Sequence, residues 1–421
     1  MRIRPLLCGL LLAVTGTPRL FAPPLPAAHS PETLLSADDQ LLALGRQLPG
    51  FGGLFLDDGG RVNVYLVDPR AHGTLARKAL GAGSRLLRAD FRFADLLGWR
   101  YSLRPLLGRD GVTMLDVDET RNRVLLGVDP TLSAGGRAEL VARVAAGGIP
   151  AAAVLVEEQP AFTPLPAALN GAPAAKAFPS FTTLDAKFRP APGGVQIVFS
   201  GRFVCTLGFN AHLGRDFGFV VNQHCTAVRG EADGTIYSQG VPAAGTIGSE
   251  IRDPGFLVDG ACPAERRCRF SDSAFARYSK KSFGKLAQIA RPTAGDPLLG
   301  SLRVAPPTAR FGIVGKASDP LFGQTAHKVG RTTGWTFGDV VGTCVDTNIS
   351  GSDISMLCQT FVAGGGGPGD SGSPVFGRVG AKQARLMGIL WGGGSSPTLG
   401  ELFVFSPLSA IERELGTLKV H

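Results

Sequence analysis

The stretch Gly364-Gly-Gly-Gly-Pro-Gly-Asp-Ser-Gly-Ser-Pro374 decides how this chain is read, and within it the segment Gly369-Asp370-Ser371-Gly372-Ser373-Pro374 matters most. Glycines lack Cβ, so such a loop can turn tightly and aim the amides of Gly369 and Ser371 at one point, beside the Ser371 hydroxyl. A serine hydroxyl becomes a nucleophile only next to a base of near-neutral pKa, and that base must be held by a buried carboxylate. A histidine and an aspartate are therefore required elsewhere in the chain.

Upstream, Val220-Val-Asn-Gln-His-Cys-Thr226 sets His224 directly before Cys225 and after an apolar strand. Between them and the serine, Arg269-Phe-Ser-Asp-Ser-Ala-Phe-Ala-Arg277 sets Asp272 at the head of an alternating run, with Ala274 and Ala276 on one face. Asp253 and Asp259 compete for the same role, but each adjoins Pro or Gly and reads as a loop residue. His212, in the 210–216 turn, and His72 read as surface residues.

These three segments resemble the trypsin/chymotrypsin-like serine peptidases, in their bacterial secreted form with an N-terminal pro-region. The order His224, Asp272, Ser371 is the order that this fold uses, whereas other folds with the same chemistry thread it differently. The resemblance implies His224 as general base, Asp272 as the group that orients it, Ser371 as nucleophile, and the Gly369 and Ser371 amides as oxyanion hole. It also implies an all-β catalytic domain of two six-stranded antiparallel barrels. Phe203-Val-Cys-Thr-Leu-Gly-Phe-Asn210 is similar to the strand whose cysteine bridges to the one after the histidine, which joins Cys205 to Cys225. Lys328-Val-Gly-Arg-Thr-Thr-Gly-Trp-Thr-Phe-Gly338 resembles the strand and turn that open the second barrel, with Arg331 and Thr332 structural. Leu390-Trp-Gly-Gly-Gly394 resembles the strand that pairs with extended substrate.

By position, Gly365 falls at the floor of the specificity pocket, with Leu390, Trp391 and Gly392 also binding substrate. No carboxylate stands there, so cleavage is expected after uncharged, apolar residues. The sequence departs from the family in three places. Glycines replace the cysteine common before the nucleophile, Leu390 stands where a serine is common near Asp272, and no Ile-Val-Gly-Gly-like start follows the N-terminal region. Asp370 must then pair with an internal donor rather than with a freshly cut N-terminus.

Seven cysteines less Cys8 leave six, which fall as local pairs: Cys205 with Cys225, Cys262 with Cys268, Cys344 with Cys358. In an exported chain an even count reads as disulfides, and the spacings are too wide for zinc ligation. Export follows from the first residues, Met-Arg-Ile-Arg and then the apolar run Leu6–Val14, which read as a signal peptide over 1–28. A lipid-modified Cys8 fits worse, because that cysteine lies inside the apolar run.

Residues 30–158 read as a small α+β pro-region without cysteine. Two alternating runs flank Asp57-Asp58-Gly59-Gly60, a second such unit spans 111–129, a helix covers Ala134 to Ala146, and a strand Ala151 to Val156 closes the unit. Residues 159–185, rich in Pro and Ala, read as a linker, and 190–421 as the peptidase domain closed by a helix from Pro407. With 58 Gly, 30 Pro and 18% charged residues in 421, turns and short strands are favoured over a helical bundle. The net charge of +9 is scattered rather than blocked, which argues against nucleic-acid binding, and no membrane span is expected. The expected partners are protein or peptide substrates and the chain's own pro-region, with no metal or cofactor, in the periplasm or the medium. The competing reading is a catalytically silent binding or adhesion protein on the same fold.

Overall fold

The structure, a computed structural model, describes residues 34–165, 180–240 and 245–421, and the backbone of 167–168. The expected signal peptide, Pro166 and residues 169–179 of the expected linker lie outside the described residues. The chain is mostly β, with few helices and many strands. Among the described residues no helix is long and apolar enough to cross a membrane.

The first hairpin pairs Phe51–Leu56 with Val62–Leu66. Asp57 Oδ1 accepts from the amides of Gly59 and Arg61, and Gly60 takes φ +72°, which a side chain would resist. Arg85–Arg88 adds a parallel third strand. Helices Ala37–Gln47, Pro69–Leu80 and Phe93–Leu103 accompany this sheet. Asp68 caps the second by accepting from Arg70 N and Ala71 N, with Pro69 at the first helical position.

The second hairpin, Val112–Asp118 with Arg123–Val128, is extended in parallel by Val154–Glu158. The helix Ala134–Ala146 lies between them in sequence and is capped by Ser133. The strand expected from Ala151 starts later, because Ala151–Ala153 after Pro150 form a 3-10 turn. Three alanines carry little strand preference, and the strand begins at the β-branched Val154.

This N-terminal sheet does not stand apart. Leu115 and Met114 pair with Asp346 and Thr347 of Gly334–Asn348, so its three strands continue a fifteen-stranded sheet built mostly from the C-terminal half. The junction buries Arg100 between Asp38, at 2.7 Å, and Asp346, at 2.8 Å, while Arg104 Nε reaches Asp346 at 2.7 Å. Its apolar cluster mixes Leu115, Leu126 and Leu103 with Cys268, Phe270 and Leu357. A nine-stranded sheet carries the segments around Cys205, His224 and Asp272, and its cluster holds Ile197, Phe219, Val220 and Phe275.

Three disulfides join Cys205 to Cys225, Cys262 to Cys268 and Cys344 to Cys358. The last helix, Leu408–Leu415, begins after Pro407 and buries Leu408, Ile411 and Leu415.

Candidate active site

Asp216–Val221 is a buried antiparallel strand that ends in a short 3-10 turn, Gln223–Cys225, and this turn carries His224. The neighbouring strand Ala274–Tyr278 pairs Ala274 with Val221, which brings the preceding Asp272 beside the histidine. Asp272 Oδ2 lies 2.5 Å from His224 Nδ1, and its Oδ1 accepts from the His224 amide at 3.1 Å. His224 Nε2 lies 2.7 Å from Ser371 Oγ. All three residues are buried.

Asp272 is held from both sides. Its amide donates to Ser406 Oγ at 2.9 Å, and its carbonyl accepts from Asn222 Nδ2 at 2.7 Å. Burial opposes its ionisation, but the charge and the hydrogen bond of His224 outweigh burial and hold the carboxyl below its usual range. The other two aspartates are elsewhere: Asp253 is buried against Arg269 at 3.2 Å, and Asp259 is exposed.

The loop around Ser371 takes its shape from Gly369 at φ +100° and Gly372 at φ +92°. A Cβ on Gly369 would come within 2.7 Å of Thr332 Oγ1, and one on Gly372 within 2.1 Å of the Thr206 carbonyl. Thr206, next to the bridged Cys205, ties the loop down. Its amide donates to the Ser371 carbonyl at 2.7 Å and its hydroxyl to the Gly369 carbonyl at 2.9 Å.

Asp370 has the internal donor that the sequence requires. Lys328 Nζ reaches Asp370 Oδ2 at 2.8 Å with both side chains fully buried, and the amides of Thr332 and Gly367 donate to the same carboxylate at 2.8 and 3.1 Å. Burial disfavours the charge on each partner. For Asp370 the Lys328 charge and the hydrogen bonds prevail and lower its pKa, whereas for Lys328 burial prevails and the ammonium titrates below its usual range.

The cleft beside Ser371 contains part of this chain. Thr163–Pro164 forms a short strand antiparallel to Gln383–Ser396, with Pro164 opposite Gly392 and Thr163 opposite Gly393. The Leu165 amide donates to the Trp391 carbonyl at 3.4 Å, and the Gly369 amide donates to the Leu165 carbonyl at 2.5 Å. Ala167–Ala168 then pairs with Phe203–Thr206 on the far side of the serine. Part of the expected linker is thus extended backbone within the sheets.

The residues expected to bind substrate take different places. Gly365 packs on the segment around Leu298, where an added Cβ would lie 2.0 Å from the Leu298 carbonyl. The glycines beside the Leu165 side chain are Gly366 and Gly393, whose added Cβ atoms would lie 3.4 and 3.2 Å from its Cδ1. Leu390 belongs to the apolar cluster on which Leu165 packs. Trp391 divides its roles: its carbonyl pairs with the cleft strand, and its buried indole donates to Gln359 Oε1 at 2.8 Å.

Sequence reading did not single out Lys328, Thr206, Ser406, Asn222 or Leu165. Lys328 and Thr206 stand in quoted motifs, but nothing local to Thr325–Gly330 marks its lysine as buried. Ser406 comes from a strand 134 residues away from Asp272, and nothing local to either residue announces that contact.

No protein-family model matches the chain, and the search of curated proteins found no relative. Among solved structures it is similar to the Nocardiopsis protease NAPase, with 22% identity over 55% of this chain and 98% of that one and a TM-score of 0.39. It is similar to Thermobifida fusca protease A, with 17% identity over 54% and 97% and a TM-score of 0.38. A chymotrypsin of Cellulomonas bogoriensis gives 21% identity over 55% and 97%, with a TM-score of 0.37.

Proposed function

We propose that the chain is a secreted serine endopeptidase, made as a zymogen, in which residues 190–421 form a catalytic unit of two β-barrels and residues 30–158 a pro-region. The observation that carries this reading is the hydrogen-bonded line from Asp272 through His224 to Ser371, at 2.5 and 2.7 Å, beside an amide that already holds a peptide carbonyl.

In the proposed reaction, Ser371 Oγ attacks the substrate carbonyl carbon while His224 Nε2 takes the hydroxyl proton. Asp272 keeps the Nδ1 proton in place and stabilises the imidazolium that forms. The Gly369 and Ser371 amides hold the developing oxyanion, and two fixed donors aimed at that oxygen are worth a few kcal/mol each. The tetrahedral intermediate collapses as His224 gives its proton to the leaving amine. Water then repeats the sequence in reverse roles and releases the acid.

The zymogen reading is supported by residues 163–165 and 167–168 pairing with strands on either side of Ser371 and by the N-terminal strands that extend the larger sheet. Three disulfides support an oxidising location, outside the cytoplasm. An internally quenched peptide incubated with the protein, after limited proteolysis within 159–185, tests the reading. Hydrolysis by the wild type and none by Ser371→Ala is expected; equal turnover by both would overturn it.

A further inference from the structure

Resting on the peptidase reading, we infer that the substrates are peptides with a leucine-sized aliphatic residue before the cut, and that residues 163–165 lie as a substrate-like strap whose next peptide bond, to a proline in the sequence, resists that cut.

The strap has the backbone register of a bound substrate. Two antiparallel pairs tie Thr163 and Pro164 to Gly393 and Gly392, the Leu165 carbonyl accepts from the Gly369 amide, and Ala167–Ala168 pairs with Val204 and Phe203 beyond the serine. This register makes Leu165 the residue whose carbonyl stands where the attacked carbonyl must be. Its half-buried side chain packs on an apolar cluster that includes Leu390, Phe403 and Val340. Leu390, Phe403 and Val340 offer that side chain only carbon, so a charged group laid against them would lose hydration there. Gly366 and Gly393 leave room for Leu165 Cδ1, since a single added Cβ at either position would stand 3.4 or 3.2 Å from it. The place filled by Leu165 therefore suits an aliphatic side chain of that size, such as Leu or Met.

The next residue in sequence is Pro166. Cleavage forms the Ser371 Oγ–carbon bond, breaks the carbon–nitrogen bond, and requires His224 to deliver the former hydroxyl proton to the leaving nitrogen. At proline that nitrogen is tertiary, with ring Cδ in place of hydrogen, which crowds the atom to be protonated. A strap that binds as substrate and leaves slowly blocks the cleft it occupies.

The full chain is tested with a fluorophosphonate probe and intact-mass analysis, using Leu165→Asp, Leu165→Met and Pro166→Ala. Leu165→Asp should label at Ser371 at least about tenfold faster than wild type, because the strap loses its apolar anchor, whereas Leu165→Met should label as slowly as wild type. Pro166→Ala should cut itself after Leu165, and the addition of Ser371→Ala should abolish that cut. Labelling of all variants at one rate, or labelling of Pro166→Ala without cleavage after Leu165, would overturn the inference and leave the peptidase reading standing. If no variant labels, both fall.

Discussion

Lys328→Met should unfold the nucleophile loop's support more severely than any exposed ion-pair deletion. The substitution keeps the length of the side chain but removes the ammonium that stands 2.8 Å from Asp370, with both partners fully buried. Asp370 would then keep hydrogen bonds from the amides of Thr332, Thr333 and Gly367 and from the Thr333 hydroxyl, but no compensating charge. Removing one member of a buried pair costs about 3–5 kcal/mol. For a unit of 150–250 residues, roughly 2–4 °C of Tm accompanies each kcal/mol, so the expected loss is about 6–20 °C. Thermal unfolding followed by circular dichroism measures it. The double variant Lys328→Met with Asp370→Asn should recover part of the loss, because the stranded charge is gone, and the difference gives the coupling between the two residues. A Tm within about 2 °C of wild type for Lys328→Met would refute the reasoning, since the buried carboxylate would then need no cation.

Asp272→Asn should leave the fold intact and lower kcat by about 10⁴-fold, because the amide cannot hold the Nδ1 proton of His224; peptide hydrolysis rates measure it. Replacing Cys205 and Cys225 together by Ala opens a loop of 20 residues and should cost about 3 kcal/mol, read from denaturant midpoints. Stability should fall as pH rises from about 4.5 to 8. Burial pushes Glu119 up to about 8 and Asp38 up to about 6 at the sheet junction, so the folded chain holds protons there that the unfolded chain has released. Their stabilisation is complete below the unfolded values and is lost through the folded ones. Glu119→Gln should flatten that slope in denaturant titrations at several pH values, and an unchanged slope would contradict the assignment.

Asp272, His224 and Ser371, which the structure brings together, were singled out because each sits in a short segment whose local chemistry is unusual: a serine among glycines, a histidine beside a cysteine, an aspartate opening a buried strand. The hairpin with the Asp58-Gly59 turn and the helix Ala134–Ala146 were legible for the same local reason. What escaped was non-local. The pairing of Leu115 with Asp346 joins residues far apart in sequence, and the local pattern of neither strand names the other. Arg100 looks like any surface arginine until helix Phe93–Leu103 turns it between two carboxylates. The segment after Gln159 read as a spacer because proline and alanine carry no strand signal. Its order comes from the partner strand Gln383–Ser396, which supplies the hydrogen bonds. Gly365 and Gly366 could not be told apart by composition, and only the fold sets the second beside Leu165 and the first against Leu298.

Peptide mapping of the fluorophosphonate adduct, on wild type and Ser371→Ala after limited proteolysis within 159–185, bears most directly on the proposed chemistry. One adduct on Ser371 in the wild type and none in Ser371→Ala is the predicted result. Equal labelling of the two proteins, or labelling of neither, would contradict it.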